Sequence, residues 1–270
     1  MTQLPRNNFE KMTIYPFIYS LTWCLLLAVV AWAFSVQRKD AGIADVFWPW
    51  LGVGSAVLYL ISEGSSSLIG CVVIGAISVS AARLSVTVLK RTRRAGEDRR
   101  YTEIRDSWGR GFALKSLPGI FLLQGLMGFV LALPLAYVVT RDGAVGLVDL
   151  LFMAVWVAGF LVQAVADRQL AAFAKADNGS GVLRTGVWRY SRHPNYFGEL
   201  CMAWAVFGLA IGGDGGWTIF APMLLTWSIL RFTGVSRMEK GISARRPGYD
   251  SYAKVTSPLI PWPPRQDPAG

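Results

Sequence analysis

Residues 68–89 read LIGCVVIGAISVSAARLSVTVL, and residues 90–101 read KRTRRAGEDRRY. The first stretch holds 22 residues and one charge, Arg83; the second holds 12 residues, of which eight are charged. About 20 apolar residues in helical conformation cross the roughly 30 Å hydrocarbon layer of a bilayer. Inside that layer every backbone N–H and C=O needs an internal partner, so such a run is read as a helix. The basic block that ends it marks a membrane face, because Lys and Arg collect on the cytoplasmic side.

Working outward, six further apolar runs share this character: Ile14–Val36, Ile43–Ile61, Pro118–Val139, Val145–Ala166, Tyr196–Ile211 and Trp217–Phe232. The last two hold 16 residues each and need a turn from their flanks to span. Seven spans divide the loops into two sets. Segments 37–42, 90–117, 167–195 and the tail from Arg231 carry 23 of the 27 Lys and Arg, against three in the opposite set. The expected fold is therefore an all-α polytopic integral membrane protein with seven transmembrane helices, N-terminus outside and C-terminus cytoplasmic. Alternating ten-residue segments, the mark of a barrel, are not present. Ala31-Trp32-Ala33 resembles a signal-peptidase site, but the first apolar run is long and its flank weakly basic, so the span is expected to be retained. Without repeats or low-complexity tracts, residues 1–270 are expected to form one membrane domain.

Composition excludes several classes. Hydrophobic residues make up 53% of the chain and charged residues 16%, against about 25% charged in soluble domains. Disorder is excluded by the apolar content. A disulfide scaffold is excluded because the three cysteines, Cys24, Cys71 and Cys201, are odd in number and lie in apolar runs. The net charge of +10 fits anionic lipid or an anionic small ligand. Nucleic acid is not expected, because no binding motif accompanies the charge. One histidine and no clustered cysteines leave no zinc site. GxGxxG, GxSxG, Walker A and HExxH patterns do not occur, so any nucleotide binds among helices.

Residues 186–199, GVWRYSRHPNYFGE, carry the strongest chemistry. Pro194 suits the first turn of a helix, with Ser191 or His193 ahead of it as a cap. The sixth span then opens with free N–H groups and its positive dipole end, flanked by Arg189 and Arg192, which suits a phosphate or carboxylate. Asn195 and Glu199 are four apart on one face. A carboxylate such as Glu199 inside a span costs a few kcal/mol (about 3) unless paired or wet, so it is expected to face a cavity. Packing against an Arg of another helix is the plainer role. In the 91–101 block, Glu97 and Asp98 suggest something more structured than a lipid anchor, and Gly96 a turn exposing N–H groups. Asp167 ends the fifth span. Arg237, Met238, Glu239 and Lys240 lead to Tyr249 and Tyr252, which could cover a cofactor or form an amphipathic belt. Arg83 lies two turns inside its span and needs a partner. Asp45 is expected at the interface, and Asp149 is expected to be exposed at the outer end of the fifth span.

The segment from Asp167 to Glu199, with GEDRRY, ADRQL and the closing Tyr249, Tyr252 and Pro258-Leu259-Ile260-Pro261, resembles the steroid 5-alpha-reductase superfamily, most closely its bacterial branch of membrane domains of unknown function. The resemblance implies a seven-helix reductase of the bacterial inner membrane that uses NADPH. Hydride would pass to the double bond of a lipophilic enone, such as a 3-oxo-4-ene steroid, while an acidic group polarises the ketone. The substrate would enter from the bilayer, and no obligate protein partner is implied. By position, Asn195 and Glu199 match residues at the nicotinamide end, Asp167 an acidic cofactor contact, Arg94 a polar residue near the phosphates and Arg237 a basic residue of the final segment. Arg100, Tyr101, Arg189, Arg192, His193, Tyr196, Glu239 and Tyr252 complete the candidate cofactor set. The steroid enzymes carry a Gln-Glu pair in the second span and a Tyr in the third; neither is recognisable here. Asp45, Tyr59 or Arg83 could take that part, and Asp45, Arg83 and Glu199 are the catalytic candidates. A methyltransferase of the isoprenylcysteine carboxyl type, using S-adenosylmethionine, shares the RHPxY segment and is the alternative. A non-enzymatic lipid-binding protein is the third reading.

Overall fold

The computed structural model describes residues 13–65, 67–177, 181–232, 239 and 241–265. Among these there are helices and no strands. In chain order they are α1 (Tyr15–Arg38), α2 (Ile43–Ser62), α3 (Leu68–Ala95), α4 (Arg99–Trp108), α5 (Phe112–Val139), α6 (Leu147–Ala176), α7 (Pro194–Ile211), α8 (Phe220–Trp227), α9 (Ile242–Arg245) and α10 (Tyr249–Val255). Five of them, α1, α2, α3, α5 and α6, are long and apolar enough to cross a membrane.

Local chemistry explains where these helices differ from the hydropathy runs. Ser67 caps α3, its hydroxyl accepting the Gly70 N–H at 3.3 Å. The helix then continues past Leu89 to Ala95, because Lys and Arg are good helix formers even where they are too polar for a span. It stops at Gly96, whose φ of 76° only glycine adopts without strain. α5 starts ahead of Pro118, which is absorbed into a π-helical segment, Leu117–Leu122. α7 is 18 residues long, about 27 Å at 1.5 Å per residue. The seventh apolar run is not one helix: a 3₁₀ turn (Gly215–Ile219), α8 and a π segment (Ser228–Phe232) follow one another.

Two compact units divide the chain. One comprises residues up to 145 together with 209–221, the other 146–208 together with residues from 222. In the first, α1, α2 and α5 pack closely through small residues, the usual means of helix association in lipid. A side chain at Gly54 would strike Trp23, one at Gly128 would strike Leu51, and one at Gly125 would press on the Cys24 carbonyl. A buried polar seam adds direction: the Ser20 hydroxyl donates to Ser55 at 2.8 Å, and Ser55 to the Leu51 carbonyl at 2.8 Å. Pro49 removes one N–H from α2. Nearby, Ser85 of α3 donates to the Val46 carbonyl at 2.7 Å and accepts from Trp50 Nε1 at 3.0 Å. α1 thus supplies buried residues, Cys24, Ala28 and Ala31 among them, to the core of this unit.

In the second unit α6 and α7 cross at Gly159 and Gly198, where a Cβ on either would collide with the other's carbonyl. Phe152 lies over Gly208. Beyond the crossing, Trp188 Nε1 donates to the Ala166 carbonyl at 3.1 Å, and the Gln169 side-chain oxygen accepts the Val187 N–H at 3.1 Å. These bonds pin the 3₁₀ turn Gly186–Arg189 to α6. One expectation is corrected here. Asp149 is buried, because its carboxylate folds back onto the free Gly146 N–H at 2.9 Å at the start of α6. Large apolar side chains such as Leu68, Val79, Leu147 and Met223 face outward, which a bilayer makes favourable and water does not.

Candidate functional site

Each unit holds one dense polar cluster. In the first unit it joins the α1–α2 corner to the segment after α3. Asp98 caps α4 by accepting the Arg100 N–H at 2.9 Å. That turn sends the Arg100 guanidinium to Asp45 at 2.7 Å and to Asp98 at 3.0 Å. The Tyr101 hydroxyl donates to the other Asp45 oxygen at 2.7 Å and accepts from Gln124 of α5 at 3.2 Å. Arg91 contacts Asp98 at 3.1 Å and Asp45 at 3.6 Å. A second lock lies beside it: Glu97 accepts the Ala41 N–H at 2.7 Å and pairs with Arg105 at 2.7 Å. Arg105 also reaches the Lys39 carbonyl at 3.3 Å. Burial raises the Glu97 and Asp98 carboxyls, but the arginines and N–H groups outweigh it and hold both below the ordinary carboxylate range. Burial and the Asp45 charge push the Tyr101 phenol well above its usual value. Gln124 also lines a narrow cleft between Ala28, Ala31, Ala44 and Phe121, with free space for about one water.

The cluster of the second unit sits at the start of α7. Ser191, fully buried, donates to the Leu259 carbonyl at 2.7 Å and accepts the His193 N–H at 3.1 Å. That turn places the His193 carbonyl to accept the first helical bond, from Phe197 at 3.1 Å, with Pro194 where its missing N–H costs nothing. The His193 ring stacks on Tyr196 at 5.6 Å, and its Nε2 donates to Glu239 at 3.0 Å. The same Glu239 oxygen accepts from Tyr249 at 3.2 Å. Arg192 Nε lies 3.2 Å from it as an ion pair, without the alignment of a hydrogen bond. Burial raises the Glu239 carboxyl, yet the bond from His193 and the charge of Arg192 bring it below its usual range.

The closing segment is laced across this turn. Arg192 N–H donates to the Ser257 carbonyl at 2.8 Å, and Trp262 N–H to Tyr190 at 2.9 Å. The Tyr252 hydroxyl bonds the Trp188 and Ser191 carbonyls. Arg184 reaches the Gly248 carbonyl at 2.6 Å, and Arg246 pairs with Asp177 at 3.2 Å. Amid this network two atoms stand apart: Arg192 Nε, held only by charge, and Asn195 Oδ1. Asn195 Oδ1 is buried and has no hydrogen-bond partner among the described residues. An acceptor in that state costs about 1–3 kcal/mol.

Comparison with known proteins places the chain. Residues 31–256 match the family described as Protein of unknown function (DUF1295). The chain belongs to that family. DUF1295 is part of the steroid 5-alpha-reductase-like superfamily. An uncharacterized protein of Schizosaccharomyces pombe is 25% identical over 278 residues, covering 91% of this chain and 80% of the yeast protein. No solved structure matches.

Among the residues singled out in this DUF1295 chain, Asp45, Arg100 and Tyr101 come together in the first unit, and Arg192, His193, Tyr196, Glu239 and Tyr252 in the second. Arg83 lies half-buried on α3 and Arg94 is exposed near its end. Asp167 on α6 and Glu199 on α7 are half-buried, and Arg189 is exposed. Arg237 lies outside the described residues. Sequence reading missed Gln124, and also Gln163, buried on α6 against the Gly198 crossing. Each is a lone amide in an apolar run, and that was the signal available.

Proposed function

We propose that this DUF1295 protein is a membrane reductase that binds NADPH at the start of α7 and reduces the conjugated double bond of a lipophilic enone. The observation that carries the reading is the buried, unsatisfied Asn195 Oδ1 in the first turn of α7, three residues after Arg192. A carboxamide N–H of the nicotinamide fits that acceptor, and phosphate oxygens fit Arg192, the exposed Arg189 and the positive helix end. Glu199, one turn on, and Asp167 complete the second unit's candidate set, with Tyr252 and Glu239 fastening the closing segment over the turn.

When bound, NADPH supplies hydride. The first unit's residues have a different task. Both Asp45 oxygens are engaged by Arg100 and Tyr101, so Asp45 orients Tyr101 and does not itself meet a ketone. Tyr101 likewise spends its one O–H on Asp45 and accepts from Gln124, so it does not polarise a ketone. Arg83 remains a candidate from the span itself. In this reading the chain crosses the membrane seven times, α7 and the broken 215–232 segment supplying the last two crossings. The N-terminus is outside and the basic loops are cytoplasmic, an orientation that the 23-to-3 division of basic residues supports, and the membrane of this reading is a bacterial inner membrane.

The test is cofactor-dependent protection of the purified protein, followed by NADPH oxidation with a panel of 3-oxo-4-ene steroids and simpler enones. NADPH is expected to raise the melting temperature, because a ligand that binds only the folded state stabilises it. Protection by S-adenosylmethionine alone would replace this reading with the methyltransferase one. Protection by neither would remove both.

A further inference from the structure

Three donors converge on a single atom at the start of α7. His193 Nε2 and the Tyr249 hydroxyl donate to Glu239 Oε1 at 3.0 and 3.2 Å, and Arg192 Nε lies 3.2 Å from the same oxygen. One carboxylate oxygen has two lone pairs, so it serves two of the three. Arg192 Nε is the one left out: it is buried and makes no hydrogen bond among the described residues. A frame shaped for a carboxylate spreads its donors over both oxygens, as Arg105 does on Glu97. A phosphate presents three acceptor oxygens, one for each of these donors, and arginine pairs with it through charge-assisted hydrogen bonds. The acid is also placed to leave. The Glu239 side chain is 22% exposed, against 13% for Arg192 and 9% for His193, so it is the outermost of the three and its donors stay behind when it moves.

We propose that Arg192, His193 and Tyr249 form a phosphate subsite, which Glu239 occupies as an internal anion until a phosphate displaces it. The proposal deepens the NADPH reading and rests on it for the source of the phosphate; a free phosphate or a lipid headgroup offers the same chemistry. Glu239 then competes with the cofactor in place of holding it, and cofactor entry releases one tie of the closing segment.

His193 is the only histidine of the chain, so isotope-labelled histidine in the detergent-solubilised protein gives one imidazole signal by nuclear magnetic resonance. Inorganic pyrophosphate, titrated at constant ionic strength, should shift that signal saturably. An internal competitor lowers apparent affinity by the fraction of time it vacates the site, so Glu239→Gln should bind pyrophosphate about tenfold more tightly. Tyr249→Phe, which loses one donor to the anion, should weaken binding about tenfold, and Arg192→Gln should abolish the shift. No saturable shift in the parent, or weaker binding by Glu239→Gln, would overturn the proposal. The parent titration carries the test where a variant fails to fold. Competition separates the sources. Displacement of pyrophosphate by NADPH assigns the subsite to the cofactor. Displacement by soluble glycerophosphoglycerol, with none by NADPH, would keep the subsite and end the NADPH reading. Thermal protection by NADPH with no response at His193 would keep the cofactor and end the subsite.

Discussion

In the first unit, Glu97, Asp98 and Asp45 present six carboxylate oxygens, and each has an arginine, a backbone N–H or the Tyr101 hydroxyl against it. In the second, three groups crowd one oxygen of Glu239, while Asn195 Oδ1 nearby has none among the described residues. Both clusters are rich in Arg, acid and Tyr, and both tie distant stretches of chain together. Their hydrogen-bond accounting separates them. A saturated network fixes geometry and has little capacity left for a ligand; an unsatisfied buried acceptor is tolerated where something else completes it. The first cluster is therefore read as a structural frame that fastens the α1–α2 corner to α4, and the second as a frame around a binding position.

Breaking the saturated network should have the largest effect. Arg100→Ala leaves Asp45 and Asp98 short of their main cation and should cost about 3–5 kcal/mol, the range for one partner of a buried pair. A large drop in the melting temperature of the detergent-solubilised protein would show it. A drop no larger than that of an exposed-Arg control such as Arg110→Ala would mean the network is ornamental. Next in size, Gly198→Ala forces a methyl against the Gly159 carbonyl and should cost about 1–3 kcal/mol through overpacking. Cross-linking yield between cysteines placed on α6 and α7 offers a check on whether the crossing opens.

The third effect distinguishes the clusters by acid. Glu239 titrates below its unfolded value of about 4.3, so its contribution is present above that pH and is lost as the pH falls through the lower folded value. Hydrogen-exchange protection of residues 248–262 should decline over that acidic window. Glu239→Gln should remove the dependence there and leave that of the Glu97 and Asp98 cluster intact. Equal acid sensitivity of the tail in the variant would assign the effect elsewhere.

Legibility in the sequence followed the range of the forces involved. The five long helices could be read from hydropathy, since lipid imposes helix on any apolar run of that length. Helix ends could not, because Lys90–Ala95 satisfy helix propensity and violate only span polarity, and Pro118 is accommodated by a π segment. The last run, 217–232, is apolar enough but is divided into 3₁₀, α and π pieces. The turn at Ser191–Pro194 was legible because its hydrogen bonds are local. The link from Asp45 to Arg100 spans 55 residues and that from His193 to Glu239 spans 46, so no local pattern encodes either. The 91–101 block showed its mixed charge, but not that its acids were committed to the α1–α2 corner.

The smallest structural effect coincides with the largest expected functional one. Asn195→Ala deletes an acceptor that has no partner among the described residues and so relieves its cost of about 1–3 kcal/mol, less the packing lost with the side chain; the ligand-free protein should melt no lower than the parent. The decisive experiment is therefore NADPH titration of the parent and Asn195→Ala proteins, followed by thermal unfolding. At a ligand concentration about a hundredfold above Kd, the parent should gain about 2.7 kcal/mol, and the variant should melt at the same temperature whether NADPH is present or not. An equal NADPH-dependent gain in both proteins would contradict binding at the start of α7.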